Sequence, residues 1–398
     1  MNYRKLKENE VDLSITMSEY AFQFELTDEE RRERRGWIKP ENTWIAEEDG
    51  KILSKSSTIP FHIFYYGQVI PMAGVSGVAT WPEHRRGGLV KNLLFHSLQE
   101  MKEKGFPVSF LFPFSIPFYR KFGWELFADT QTITIKKEQL PQRKSTKGTV
   151  RRIEPSIEVL QPVYEKWAEQ YNGTLIRDED WWKRSIFKRK KGNVAVYYNE
   201  KEEARGYMLY EVKEDKMTIK ELIWLDPEAR TALWTFIGNH DSMINSVVLK
   251  TTANDGLPFI LDDPKVEREV TSYFMARIVD VKSFLSYVPF KGIKGGSPII
   301  LHIHDDFCDW NDGTFIIQSH EEGNKNDVQY FPYKSDGACT HMPKRGCHMT
   351  IQTLSALLFS SQQPEMLIRE GFINGEQDEL DRLKEEIPYK PAFIYDFF

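Results

Sequence analysis

At 398 residues, the chain exceeds what one core ordinarily organises, and a prior of about 150 residues per domain predicts two to three domains. Hydrophobic residues at 40% and charged residues at 28% supply the cores and a polar surface, which excludes a largely disordered polymer. A net charge of −6 argues against a general nucleic-acid binder, since phosphate affinity needs clustered Lys and Arg, and suits a cationic small-molecule partner better.

The opening residues lack the apolar core of a secretory signal, and no run approaches the roughly 18 apolar residues of a membrane span. Cys308, Cys339 and Cys347 are too few and too odd in number for a disulfide framework. A cytoplasmic protein with no membrane partner is expected. The basic run Lys188-Arg189-Lys190-Lys191 beside the turn at Gly192-Asn193 reads as a solvated face rather than a phosphate patch.

In chain order, a helical pattern covers residues 13–24 and another covers 28–35. Strands are predicted over 43–48 and 51–59, joined at Asp49-Gly50, and a further strand over 69–80. Leu89, Val90, Leu93, Leu94, Leu98 and Met101 then recur at helical spacing up to a stop at Gly105. Strands over 108–112 and 130–136 close the first region, and residues 141–148 read as a linker. The second region repeats this order: a helix over 163–171, strands over 194–198, 207–212 and 218–224, a helix over 227–237 and a strand over 247–251. At its strand-to-helix junction stand Leu225-Asp226-Pro227-Glu228, without glycine and with two acids that would repel a phosphate. After the Gly-rich stretch 292–298, a hairpin is predicted from 299–307 and 314–319 around Asn311-Asp312-Gly313, with helices over 354–359 and 376–386. The predicted class is α/β (α+β), with domains over 1–145, 146–290 and 291–398.

The most informative segment follows the strand that ends at Val78-Ala79-Thr80. It reads Trp81-Pro82-Glu83-His84-Arg85-Arg86-Gly87-Gly88-Leu89-Val90 and opens the amphipathic helix. Adjacent glycines let backbone N–H groups approach a diphosphate at a helix N-terminus, where the partial positive charge favours an anion, and Arg85 and Arg86 add full charges. The context of strand, loop and helix makes this stronger than a lone glycine motif.

This segment resembles the pyrophosphate loop of the Gcn5-related (GNAT) acetyltransferases, with Arg85, Gly88 and Val90 at the motif positions and Val90 departing from the usual small residue. That departure, with Phe118-Tyr119-Arg120-Lys121-Phe122-Gly123-Trp124, Tyr164-Glu165-Lys166-Trp167, Asp241-Ser242-Met243 and an aromatic C-terminus, is similar to the enhanced intracellular survival (Eis) family. The resemblance implies tandem GNAT-like domains, the second degenerate, followed by a sterol-carrier-protein-like domain. It also implies a homo-hexamer that acetylates amines of cationic small molecules such as aminoglycosides with acetyl-CoA. Val78, Thr80, Arg85, Arg86, Gly88 and Leu89 would then hold the coenzyme. Tyr119 would be the general acid, and the α-carboxylate of Phe398, carried into the site by the tail, would be the base. Read without the resemblance, Tyr119 fits a core or interfacial tyrosine better than a general acid, and the tail fits an aromatic anchor as well as a carrier of the base. Glu25 and Asp396 fit ordinary surface acids that could also attract a cation.

Two groups resemble metal ligands by type: His302, His304, Asp305, Asp306 and Cys308, and Cys339, His341, Cys347 and His348. Their spacings match no standard zinc pattern, and no metal is expected. The reading from another class is a non-catalytic scaffold that holds coenzyme A or a lipid.

Overall fold

The computed structural model describes residues 1–291, 297–318, 325–333 and 345–398. The strands of the first region are β1 (Asn2–Lys5), β2 (Thr43–Glu48), β3 (Lys51–Tyr65), β4 (Gln68–Thr80), β5 (Val108–Leu111) and β6 (Glu125–Lys136). Its helices are α1 (Val11–Phe22), α2 (Asp28–Trp37), α3 (Leu89–Glu103) and the short α4 (Ile116–Arg120). The second region contributes β7 (Thr149–Ile153), β8 (Asn193–Tyr198), β9 (Ala204–Lys213), β10 (Lys216–Trp224), β11 (Ser246–Thr252) and β12 (Glu267–Ile278), with helices Ile157–Ala168 and Pro227–Gly238. The third has β13 (Ile299–His304), β14 (Gly313–Gln318), β15 (Asp327–Pro332) and β16 (Cys347–Thr350).

The first two regions do not build separate sheets. They share one 12-stranded sheet in the order β1-β2-β3-β4-β5-β12-β6-β11-β10-β9-β8-β7. The last strand of each half has crossed into the other. β12 runs antiparallel to β5 and β6 inside the N-terminal half, whereas β6 pairs with β11 along the edge of the second half. Each half therefore lacks a strand until the other supplies it, and edge amides that would template aggregation are paired internally. The sequence pattern missed β12 because Glu267-Arg268-Glu269 opens it with exposed charges and blurs the alternation.

Apolar alternation puts the core where the halves meet. Phe110, Phe127 and Phe274, from β5, β6 and β12, are almost completely buried together with Tyr65, Tyr164, Trp182 and Phe359. The third region packs on this centre. Arg277 of β12, fully buried, donates to the carbonyl of Phe122 and to Asp305 Oδ2 at 2.6 Å. That pairing turns the chain at Asp305, so the first strand of the expected hairpin stops at His304 and the connection carries a helical turn over Asp309–Asn311. The helix expected over 163–171 runs instead over Ile157–Ala168, with Pro162 inside it.

His302 and His304 do not form a metal site. His302 contacts Thr314 Oγ1 at 2.8 Å and the Arg345 carbonyl at 2.9 Å, and stacks on His348. Cys339 and His341 lie outside the described residues, as does the stretch 292–296 of the predicted boundary. Among the described residues no group of three or more His, Cys, Asp or Glu could hold a metal, and no helix is long and apolar enough to cross a membrane.

After helix Gln377–Glu386 the chain crosses back to the sheet. Phe393 N–H donates to the Asn172 carbonyl at 3.0 Å, and Asn172 N–H donates to the Pro391 carbonyl at 2.9 Å. The tail then lies over the junction of the two halves, held by a buried ion network. Arg177 donates to both oxygens of Glu221 at 2.9 Å and, through Nε, to Asp396 Oδ1 at 3.0 Å, with all three side chains fully buried. Trp181 Nε1 adds a bond to Asp396 at 2.7 Å, and Lys190 pairs with Glu221. Asp396, expected as a surface acid, is thus an internal anchor.

Burial alone would raise the Glu221 carboxyl, but Arg177 and Lys190 hold it well below the usual carboxylate range. Its folded-state pKa is depressed, so its stabilising contribution is present above the unfolded value of about 4.3 and is lost as pH falls below it. Replacing Arg177 by Met leaves buried Asp396 without a counter-ion and Glu221 with Lys190 alone, and we expect a loss of about 3–5 kcal/mol in chemical denaturation at neutral pH. A midpoint equal to wild type would mean that the network is solvated.

Candidate active site

The site begins where β4 and β5 part. They pair in parallel from Met72↔Val108 to Val75↔Leu111, and beyond Val75 only β3 remains beside β4 among the described strands. Residues 76–80 therefore present an unpaired backbone edge toward a wedge-shaped cleft. The register with β3 slips there, with Ser57 opposite Ser76 but Lys55 opposite Ala79, and Gly77 takes a φ of +61° at this bulge. The bulge re-aims the amides at Val78 and beyond, and Thr80 Oγ1 is fixed by Ser54 Oγ at 2.7 Å.

At the mouth of the cleft lies the loop before α3. Arg86 holds a left-handed φ of +68°, a conformation costing a non-glycine residue about 1–3 kcal/mol, and Gly88, the N-cap, has φ +77°. Helix α3 receives no side-chain cap and has no acid in its first turn. Its leading amides, beginning with Leu89, thus have neither an intrahelical acceptor nor a competing carboxylate. Arg85 and Arg86 are exposed beside them, with Arg85 Nε donating to the Thr80 carbonyl at 3.3 Å. Unpaired amides, positive helix end and two guanidinium groups form the donor set that a diphosphate requires, so the predicted cofactor residues come together. Arg86→Ala should weaken acetyl-CoA binding by roughly tenfold or more, the value of one charge-assisted contact. Calorimetry giving an unchanged affinity would exclude the loop as the grip.

The second half shows what an occupied helix end looks like. At Pro227–Gly238, Asp226 accepts from Ala229 N–H at 2.8 Å and from Arg205 Nε at 2.9 Å, and Pro227 at the first position offers no N–H. The corresponding wedge, between β10 and β11 past the Ile219↔Leu249 pair, is also spanned by protein: Tyr395 of the tail donates from its hydroxyl to the Lys250 carbonyl of β11 at 3.2 Å and lies 3.5 Å from the Leu222 carbonyl of β10. In this half both the helix end and the wedge are thus occupied by groups of the chain itself.

Tyr119 lies on α4, directly after β5, and is 3% exposed. Burial pushes its phenol well above the ordinary value of about 10, so it is protonated throughout the neutral range and suited to donate. Its ring contacts Phe114, Phe118 and Trp124. The ring of Phe398 reaches the last paired stretch of β4, packing at 4.9 Å from Phe61 and 5.1 Å from Phe274. A Cβ on Gly74 would stand 2.5 Å from Phe398 Cε2, so only glycine admits the ring there. Phe397 meets Phe112, at the end of β5, at 5.0 Å. The tail thus closes over the parting of β4 and β5 from the side opposite the α3 loop. Glu25 is exposed on the α1–α2 connection.

Sequence reasoning missed Gly74, Phe61, Phe112, Arg177 and Glu221. The glycines inside the strand Gly74-Val75-Ser76-Gly77 were the available signal, since glycine in a strand marks a bulge or a close approach. Both occur here. Nothing local distinguished Arg177 or Glu221 from surface charges.

Comparison with known proteins agrees with this geometry. Residues 2–127 and 173–278 each match a model of the acetyltransferase (GNAT) domain, and residues 281–395 match the sterol carrier protein domain. A crystal structure from Enterococcus faecalis, described as a conserved protein of unknown function and probable N-acyltransferase, superposes with a TM-score of 0.89 at 27% identity over 100% of this chain and 99% of that one. The fold is also that of Eis1 from Mycobacterium abscessus, with a TM-score of 0.81 at 18% identity and 100% of both chains covered. In sequence, N-acetyltransferase Eis of Mycobacterium tuberculosis is 26% identical over 256 residues, 60% of this chain and 62% of its own length. An uncharacterized N-acetyltransferase of Streptomyces avermitilis is 25% identical over 294 residues, 67% of this chain and 70% of its own.

The chain is therefore a GNAT-fold, acetyl-CoA-dependent acyltransferase, with tandem GNAT-like domains followed by a sterol-carrier-like domain. Within that class it is related to the Eis family at modest identity.

Proposed function

We propose that the chain is an N-acetyltransferase that moves the acetyl group of acetyl-CoA directly to a primary amine of a small molecule within a ternary complex. The observation that carries this reading is the convergence at the β4–β5 parting of an unpaired backbone edge, an uncapped α3 N-terminus, buried Tyr119 and the tail end. Val78 and Thr80 would hold the pantetheine arm and polarise the thioester, and Arg85, Arg86, Gly88 and Leu89 would hold the diphosphate. The α-carboxylate of Phe398 would take the amine proton, and Tyr119 would protonate the departing thiolate. The domain division at about 145 and 290 belongs to the same proposal, with strands β6 and β12 exchanged across the first boundary.

Aminoglycosides are the acceptor class that the Eis resemblance supports and stand first in the test. A thiol-release assay with acetyl-CoA across aminoglycosides and polyamines should give turnover with at least one amine. Coenzyme binding without turnover on any amine would favour the scaffold reading instead. The same resemblance supports a closed homo-hexamer in the cytoplasm. Exposed Phe114, Phe259, Phe331 and Phe372 offer apolar surface for subunit contacts. Light scattering at micromolar concentration should give about six times 46.7 kDa, and a single-chain mass would overturn the assembly.

A further inference from the structure

The charge around the tail runs opposite to that of the whole chain. Against Phe397 opens a cavity of about 470 Å³ over the β10–β11 wedge. Arg189, Lys190, Lys220, Lys250 and Tyr273 line it, and the carboxylate facing it is Asp396. Asp396 is consumed by Arg177 and Trp181, Lys190 by Glu221, and Lys220 by Glu211 at 3.0 Å. Two cations remain. Lys250 Nζ sits 3.5 Å from the centroid of the Tyr273 ring and Arg189 lies 4.8 Å from that of Phe397. Among the described residues neither has a carboxylate within ion-pair distance. Arg34 of α2, half-buried over Phe24, adds a third cation on the Arg189 side.

Lys250, held over an aromatic face in a half-buried site, is partly stripped of water without gaining an anion, whereas Arg189 is exposed beside Phe397. Desolvation and then the neighbouring Lys190 bring the Lys250 ammonium down to about 8, as expected of a charge still waiting for its partner. Burying positive charge in this way is unfavourable to folding alone and becomes favourable once an anion enters. Phe397 is a shared wall: its ring meets Phe112 at the acetyl-transfer cleft, and the residue also lines this cavity.

Resting on the acetyltransferase reading above, we propose that this cavity is an anion subsite for the acceptor. It receives the carboxylate or phosphate of a small molecule whose amine reaches past Phe397 to the acetyl group. Among primary amines, those that also carry a carboxylate or phosphate are then acetylated in preference to their neutral counterparts.

The test compares matched acceptors on the full chain: glucosamine 6-phosphate against glucosamine, and ω-amino acids against amino alcohols of equal length. The kcat/KM ratio of the anionic to the neutral member should exceed about ten in one pair, the worth of one charge-assisted contact, and Lys250→Met and Arg189→Met should each lower that ratio by a similar factor. The pair that responds tells phosphate from carboxylate. Equal turnover of both members, or variants that leave the ratio unchanged, would overturn the subsite while leaving the acetyltransferase reading intact. Calorimetry with inorganic phosphate separates the two readings further. Binding lost in Lys250→Met, with no amine turned over at all, would keep an anion site but sink both its role toward an acceptor and the acetyltransferase assignment.

Discussion

Adding one glycine after Phe398 is expected to lower kcat by roughly 10²–10⁴ while acetyl-CoA affinity stays at the wild-type value, if the terminal carboxylate is the base. The magnitude follows from how the tail is fixed. Asp396 is tied to Arg177 and Trp181, Tyr395 spans the second wedge, and the Phe398 ring fills the space left by Gly74. None of these contacts can slide, so an added residue moves the carboxylate by up to about 3.5 Å, beyond the reach of direct proton transfer. The diphosphate loop belongs to α3, far along the chain, which is why binding should survive. An N-terminal tag serves as the control. Turnover at the wild-type rate would reduce the tail to an anchor and direct the search for a base to Glu25 or water.

How much of this could be read from the sequence depends on the range of the interactions. The strand at residues 43–48, the helix opened by the α3 loop and the helix at 227–237 carried their own periodicity and stop signals, and their observed bounds agree to within one or two residues. The loop before α3 was legible because its features are local: glycines, arginines and a helix start lie within ten residues. The exchange of β6 and β12 was not, since a strand's partner is chosen by burial on both faces, and Val270 and Thr271 look the same beside any neighbour. Asp396 was misread for a related reason. Its partners Arg177 and Trp181 lie more than 150 residues upstream, and a lone acid near a chain end carries no mark of burial. Nor could the charge around the tail be read from the total, because a net charge of −6 is an average over the chain and does not locate Arg189 and Lys250 beside one cavity.

Tyr119→Phe is expected to keep fold and coenzyme affinity but reduce kcat by about 10²–10⁴, the usual range for a lost general acid. The substitution removes only an oxygen from a ring that is 3% exposed and braced by Phe114, Phe118 and Trp124, so packing around α4 is retained. Direction matters as much as size. Burial raises the phenol's pKa, so Tyr119 cannot serve as a base at neutral pH, yet it can still donate to a thiolate that forms beside it in a site equally poor in water. A free thiolate with an ordinary pKa of about 8.5 would leave slowly from a buried site without that proton. The variant should therefore regain part of its rate with an acetyl thioester of a more acidic thiol, whose departure needs less protonation. Loss of kcat with no dependence on the leaving thiol would assign Tyr119 to positioning. Wild-type turnover would return it to the core as one more buried aromatic, and the proton for coenzyme A would then have to come from solvent entering between β4 and β5.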